Sequence, residues 1–186
     1  MENQITLSPP KTLCHWLQVY LLYRKAFPAS ERKPFSIILN MYRKGKTDLW
    51  CIWKDKRFAG FASTVNGGSL ILLDYFAVSP NRRGCGIGTE ALLQLIKHYA
   101  GLGLFVEIEN TAPPGTDQSQ RIRRKEFYLQ CGMKDLKVTA NVFGVSMELL
   151  GVNCQLDFPA YKDFYRTYYS PWAAEHIQPY THTQKE

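Results

Sequence analysis

The run Arg83-Gly84-Cys85-Gly86-Ile87-Gly88 places glycines at alternate positions behind the arginine pair Arg82 and Arg83. It lies between a stretch with strand pattern and a stretch with helix pattern, and that context gives it a chemistry. The start of a helix presents backbone N–H groups without intrahelical partners and a partial positive charge of about half an electron, which suits a phosphate group. Glycines let the backbone approach such an anion with no Cβ in the way, and the arginines add fixed positive charge at the mouth of the loop. Two common phosphate loops do not fit. The nucleoside-triphosphatase loop needs a lysine directly after its last glycine, and none follows here. The dinucleotide fingerprint needs Gly-x-Gly-x-x-Gly at the start of a parallel βαβ unit, whereas this spacing is Gly-x-Gly-x-Gly behind an antiparallel pattern.

Other reactive side chains are dispersed. Cys14, Cys51, Cys85, Cys131 and Cys154 are odd in number and never two or three apart, which argues against a disulfide framework and a zinc site. Four histidines are equally scattered. The expectation is therefore no metal and a reducing, cytoplasmic setting. Cys85 has no histidine or acid nearby in sequence and reads as structural. The one tight basic cluster, Arg121, Arg123, Arg124 and Lys125, reads as a solvated helix face. A net charge of +7 suits a phosphorylated partner, but the charges are spread and no basic recognition helix or stacking motif is present, so nucleic acid is not expected. The longest apolar runs, Leu70 to Leu73 and Leu49 to Trp53, are too short to span a bilayer, and Met-Glu-Asn-Gln does not begin a secretory signal; no membrane partner is expected.

The elements that must hold the loop follow from periodicity. Ser8-Pro9-Pro10 reads as a helix start, followed by Leu13, Trp16, Leu17, Tyr20 and Leu21 as one apolar stripe. A second helix begins near Pro34, carries Phe35, Ile38, Leu39 and Tyr42, and ends at Gly45. Leu49 to Lys54, Phe58 to Val65 and Ser69 to Val78 form a meander, joined at Asp55-Lys56 and Asn66-Gly67-Gly68. After the glycine loop comes a helix with Ala91, Leu92, Leu95, Ile96 and Tyr99 inward, and then a strand from Leu104 to Glu109. Arg121 to Cys131 is helical, Leu136 to Ala140 and Val142 to Leu150 are strands, and Phe158, Tyr161, Tyr165 and Tyr168 mark a C-terminal helix with a frayed tail.

With 186 residues, 45% apolar and 21% charged, the chain reads as a single soluble domain over 1–186, with a core of about 11–150 and a helical extension over 151–186. The predicted fold is α/β in the mixed sense. An antiparallel N-terminal meander leads into parallel strands four and five of a central mixed sheet, with helices on both faces. A weak first strand before Leu49 completes the count.

Placed on this frame, Arg83-x-x-Gly86-x-Gly88 resembles the central signature of the GCN5-related N-acetyltransferase (GNAT) superfamily, Gln/Arg-x-x-Gly-x-Gly/Ala. Tyr75-Phe76-Ala77-Val78-Ser79-Pro80 resembles that family's fourth strand and its exit. Phe127-Tyr128-Leu129-Gln130-Cys131-Gly132-Met133 resembles its aromatic-rich helix, with Met133 where phenylalanine is usual. The Ala26 to Pro34 loop is similar to a stretch of uncharacterised bacterial members. The resemblance implies an acyl-CoA-dependent acetyltransferase: acetyl-CoA as donor, a primary amine of a small molecule or peptide as acceptor, and direct attack in a ternary complex of a monomer or homodimer. It implies that the backbone of Phe76, Ala77 and Val78 holds the pantetheine and thioester, in a gap between the fourth and fifth strands. Val78 N–H would polarise the acetyl carbonyl, and the backbone of Arg83, Gly84, Cys85, Gly86, Ile87, Gly88 and Thr89 would wrap the pyrophosphate. Tyr128 takes the position of the family's proton donor to the departing thiolate.

An alkyl amine with a pKa near about 10 must also lose a proton before it attacks. The candidate bases are Glu107, then Asp74 and Glu109. Glu107 alternates with Val106 and Ile108, and Asp74 interrupts an apolar run and shares a face with Phe76 and Val78 by simple alternation. Carboxylates inside strands are costly unless solvated or paired, and as a set they favour a cationic amine. The alternative on the same fold is a non-catalytic CoA-binding or regulatory module. The aromatic tail from Tyr161 to Trp172 either lines a pocket or packs on the sheet.

Overall fold

A computed structural model describes residues 4–180. The chain divides into two compact units, residues 1–100 and 101–186. Both mix helices with strands, and no helix among the described residues is long and apolar enough to cross a membrane.

In the first unit the order is β1 (Ile5–Ser8), α1 (Leu13–Ala26), a single 3₁₀ turn (Ala29–Glu31), α2 (Phe35–Arg43), β2 (Thr47–Lys54), β3 (Arg57–Gly67), β4 (Leu70–Val78) and α3 (Ile87–His98). The four strands pair antiparallel in sequence order. Asp55 and Lys56, at φ 51° and 61°, make the two-residue turn between β2 and β3, whose left-handed residues match the twist of a hairpin. Alternation along the strands sorts side chains to two faces. On one, Leu49, Cys51, Phe61, Tyr75 and Ala77 pack against Val19, Leu22 and Tyr23 of α1 and Ile38 of α2. On the other, Ile5, Ile52, Ala59, Phe76 and Val78 pack against Ile87 and Ala91 of α3.

Two sequence expectations change here. Ser8-Pro9-Pro10 does not start α1. Ser8 ends β1 opposite Cys51, and its hydroxyl accepts from Trp53 Nε1 at 2.9 Å. The helix begins at Leu13, capped by Thr12, whose side chain accepts from His15 N–H. The buried stripe of α1 is also rotated. Val19, Leu22 and Tyr23 face the core, while Leu13, Leu17 and Leu21 are 88%, 56% and 56% exposed. Apolar residues run around most of this helix, so spacing alone does not choose a face. Tyr23 chooses it, by donating its hydroxyl to Lys33 O at 2.7 Å.

At Gly60, β4 lies too close for a side chain on β3. A Cβ there would lie 2.4 Å from Ala77 O and 3.1 Å from Val78 Cα, both backbone atoms with little room to yield. Gly60→Ala is expected to cost about 1–3 kcal/mol or more, read as a lowered unfolding midpoint in denaturant.

The second unit runs β5 (Gly103–Glu109), α4 (Gln118–Gln130), β6 (Lys134–Val142), β7 (Val145–Val152), α5 (Phe158–Phe164), a wide helical turn (Tyr165–Tyr169), α6 (Pro171–Glu175) and β8 (Ile177–Pro179). Its strands lie in the order β5-β7-β6-β8, all antiparallel. The region after residue 150 is therefore not only helical. Ser170 breaks the helix and caps α6 by accepting from Ala173 N–H at 3.0 Å. The chain then returns as an edge strand on Ala140 to Val142. A run as short as Ile177-Gln178-Pro179 carries no readable alternation, and proline suits only an edge. The tail expected to fray, from residue 181 on, lies outside the described residues.

Candidate functional site

The glycine loop is built as its residue types require. β4 ends where Ser79 N–H donates to Ala59 O at 2.8 Å, and one 3₁₀ turn, Pro80–Arg82, redirects the chain. Gly84 and Gly86 both sit in the left-handed region, at φ +78° and +73°, which L side chains enter only under strain. A Cβ at either would meet nothing within 4 Å, so conformation and not crowding asks for glycine. Gly86 is the N-cap of α3 and supplies no side-chain cap. The N–H groups of Ile87, Gly88 and Thr89 thus lead the helix. Ile87, 2% exposed, pins this first turn to Ile5 and Ile52. Arg83 is tied back to the strand end by Nε donating to Val78 O at 3.2 Å. Cys85 is exposed, its sulfur 3.7 Å from Arg83 O. The result is a helix start whose leading backbone N–H groups have no side-chain cap, a feature that suits an anion.

Phe76 and Val78 face α3, while Ala77 faces α1 and α2. Asp74 does not share the face of Phe76 and Val78, as simple alternation had it. Ser63 pairs with Tyr75 and Thr64 with Leu73, so Asp74 is the extra residue of a β-bulge. Such a bulge re-aims one side chain. Here it carries Asp74 to the side of Tyr75, where its carboxylate takes an ion pair from Lys33 Nζ in the α1–α2 connection. The ammonium also lies 5.5 Å from the centre of the Tyr75 ring. Lys33 N–H donates to the Tyr75 hydroxyl at 3.2 Å, and that hydroxyl donates to Glu31 O at 3.1 Å. Burial raises the pKa of Tyr75 and of Tyr23, so both hold this connection as neutral phenols.

In the second unit Glu107 lies on the side of β5 that meets the C-terminal helices. Tyr161 donates to its carboxylate at 2.6 Å and Tyr165 at 2.8 and 3.0 Å. Both tyrosines are essentially buried, and Phe105, two residues before Glu107, packs against Tyr161 and Phe164. Glu109 pairs instead with Arg124 at 3.0 Å. Tyr128, on α4, is 5% exposed; burial raises its pKa, against a smaller opposing pull from Arg124. Of the basic cluster, Arg123 and Arg124 are exposed as a solvated face would have them, but Arg121 and Lys125 are not. Arg121 is buried and donates to Asn110 O at 2.6 Å and Pro113 O at 2.9 Å, fixing the β5–α4 connection. Lys125 sits between Glu148 and Asp135.

The predicted residues fall into five sets: loop and strand end, Asp74 with Lys33, Glu107 with its tyrosines, Glu109 with Arg124, and Tyr128 beside Phe127 on α4. A hollow of about 940 Å³ bordered by Asp135, Asn153, Cys154 and Asp157 contains none of them. All five cysteines are free, and no three metal-ligating side chains among the described residues converge. Lys33 gave no signal in the sequence. The i, i+4 spacing of Tyr161 and Tyr165 did mark one helix face, but not what it met.

The model of the acetyltransferase (GNAT) family matches residues 16–133. No curated protein sequence matches the chain. A solved Bacteroides thetaiotaomicron protein of the GNAT acetyltransferase family superposes with a TM-score of 0.73 at 19% identity, over 89% of this chain and 98% of that one. A Bacillus subtilis acetyltransferase in complex with CoA gives 0.60 at 15% identity, over 81% and 98%. Arabidopsis thaliana NAA60 in complex with acetyl-CoA gives 0.62 at 12%, over 80% and 98%. At such identities the likeness establishes a shared fold.

Proposed function

Because the chain belongs to the acetyltransferase (GNAT) family, we propose that it moves the acetyl group of acetyl-CoA to a primary amine of a small molecule or peptide. The observation that carries this reading is the loop: two left-handed glycines deliver the chain into the uncapped N-terminus of α3, beside a tethered Arg83. In this reading the backbone of residues 83–89 takes the pyrophosphate, and the backbone of Phe76, Ala77 and Val78 takes the pantetheine. Val78 N–H stabilises the oxyanion that forms when the amine attacks. Binding supplies proximity, and no acyl-enzyme is needed. Solved structures of the same fold with CoA or acetyl-CoA bound support this choice of donor.

Three groups handle charge and protons. Tyr128 returns a proton to the CoA thiolate. Glu107 accepts the proton of the incoming amine; its two tyrosine donors fix where the carboxylate points. Asp74 is a second acceptor, engaged in the resting chain by Lys33. Calorimetric titration with acetyl-CoA, followed by thiol release across polyamines, amino acids, aminoglycosides and peptide N-termini, tests the reading. Saturable binding together with turnover of at least one amine is expected. Binding without turnover on any amine would leave a CoA-binding module, and no binding would remove the proposal altogether.

A further inference from the structure

We propose that Lys33 is itself an acetyl acceptor, so that the chain acetylates its own α1–α2 connection. The inference rests on the donor reading above and adds a modification site to it. Lys33 Nζ is ion-paired with Asp74, the bulged residue two positions before Phe76, where the segment placed on the pantetheine and thioester begins, and four before Val78, whose N–H is placed on the acetyl carbonyl. Two residues of strand, to Phe76, span roughly 7 Å and four, to Val78, roughly 13 Å, and the ammonium already lies beside the ring of Tyr75, the neighbour of Phe76. Unlike a lysine on an open surface, Lys33 is held at both backbone groups. Its carbonyl accepts from Tyr23 at 2.7 Å, and its N–H donates to Tyr75 at 3.2 Å. Its side chain keeps 23% exposure against 8% for Asp74, so the amine is the more accessible end of the pair.

The step balances without another reactant. Asp74 takes one ammonium proton, the freed amine attacks the thioester carbonyl, and the N–C bond forms as the C–S bond breaks; the nitrogen's second proton passes to the departing thiolate, so CoA leaves as its thiol. The product is a neutral acetamide, which removes the counter-ion of Asp74; once Asp74 releases to water the proton it took, its carboxylate is available to a cationic acceptor.

The purified full chain is incubated with acetyl-CoA and no added amine, and followed by intact-mass and peptide mass spectrometry. One acetyl group is expected, on Lys33, gained at a rate per chain independent of protein concentration. Lys33→Arg, which keeps a cation on Asp74, loses the label. Asp74→Asn slows it about a hundredfold, with retained thermal unfolding as the check on folding. Exposed Lys44 and Lys56 report uncatalysed acetylation in the same chain. Label spread evenly over Lys33, Lys44 and Lys56 would overturn the inference. So would an unlabelled Lys33 in a chain that binds acetyl-CoA and acetylates amines, with the donor reading left intact. Absence of acetyl-CoA binding in the calorimeter would instead remove the donor reading, and this inference with it.

Discussion

Gly86→Ala is expected to weaken acetyl-CoA binding at least about tenfold while costing the fold only about 1–2 kcal/mol. Gly86 stands at φ +73°, where an added Cβ is strained by its own backbone and by nothing else, since no atom lies within 4 Å. The protein can therefore relieve the strain by letting the residue leave the left-handed region. That rotation turns the peptide planes whose N–H groups open α3. A hydrogen bond to a charged group contributes about 1.5–3 kcal/mol, so misdirecting one toward the pyrophosphate is enough for a tenfold loss. Gly101 supplies the control. It is also left-handed, at φ +88°, and also has nothing within 4 Å of its Cβ position, but it follows α3 at the far end. Gly101→Ala carries the same kind of strain and is expected to leave affinity unchanged. Titration calorimetry and thermal unfolding on both variants separate the two effects; equal affinity for the two would dissociate the loop from the donor site.

The contrast between those glycines shows which parts of this protein its sequence displays. The loop was legible because its requirement is local. Left-handed backbone and close approach are properties of residue type, and the flanking strand and helix patterns placed it. The boundaries of β2 to β5, the Asp55-Lys56 turn and the inward face of α3 were legible for the same reason, whereas Val142, read as opening the last strand, closes β6. What depends on long-range pairing was not. A bulge at Asp74 reverses the side that alternation assigns, and its cause lies in the register against β3. The face of α1 is decided by Tyr23 reaching Lys33. Arg121 looked like one of four surface cations, and only the folded β5–α4 connection gives it two carbonyls to hold. Among the candidate acids, the sequence put Glu107 ahead of Asp74 and Glu109 but showed the partners of none of them. Partners from distant segments made them different: two phenols, a lysine and an arginine.

Tyr128→Phe is expected to lower kcat by about a hundredfold and to leave acetyl-CoA affinity nearly unchanged. Phenylalanine keeps the ring and its packing against Phe127 and removes only the hydroxyl. No hydrogen bond between that hydroxyl and another described residue contributes to its raised pKa, which comes from burial, so folding loses little when it goes. Burial also keeps the phenol protonated to a higher pH than the ordinary 10.0, so its proton is in place throughout the neutral range, while the same shift makes it a weaker acid. The same shift has a stability consequence of defined sign. The unfolded chain ionises this tyrosine from about pH 10, while the folded chain resists. The contribution is therefore fully present below pH 10 and is lost as pH rises from there toward the folded value. Tyr128→Phe removes it, so the variant is expected to lose less stability than the parent chain above pH 10 and to match it in trend below. Steady-state kinetics, donor titration and unfolding against pH decide the assignment together. Unchanged kcat would take Tyr128 out of the proton transfer, and weakened donor binding at constant kcat would make it a binding residue instead.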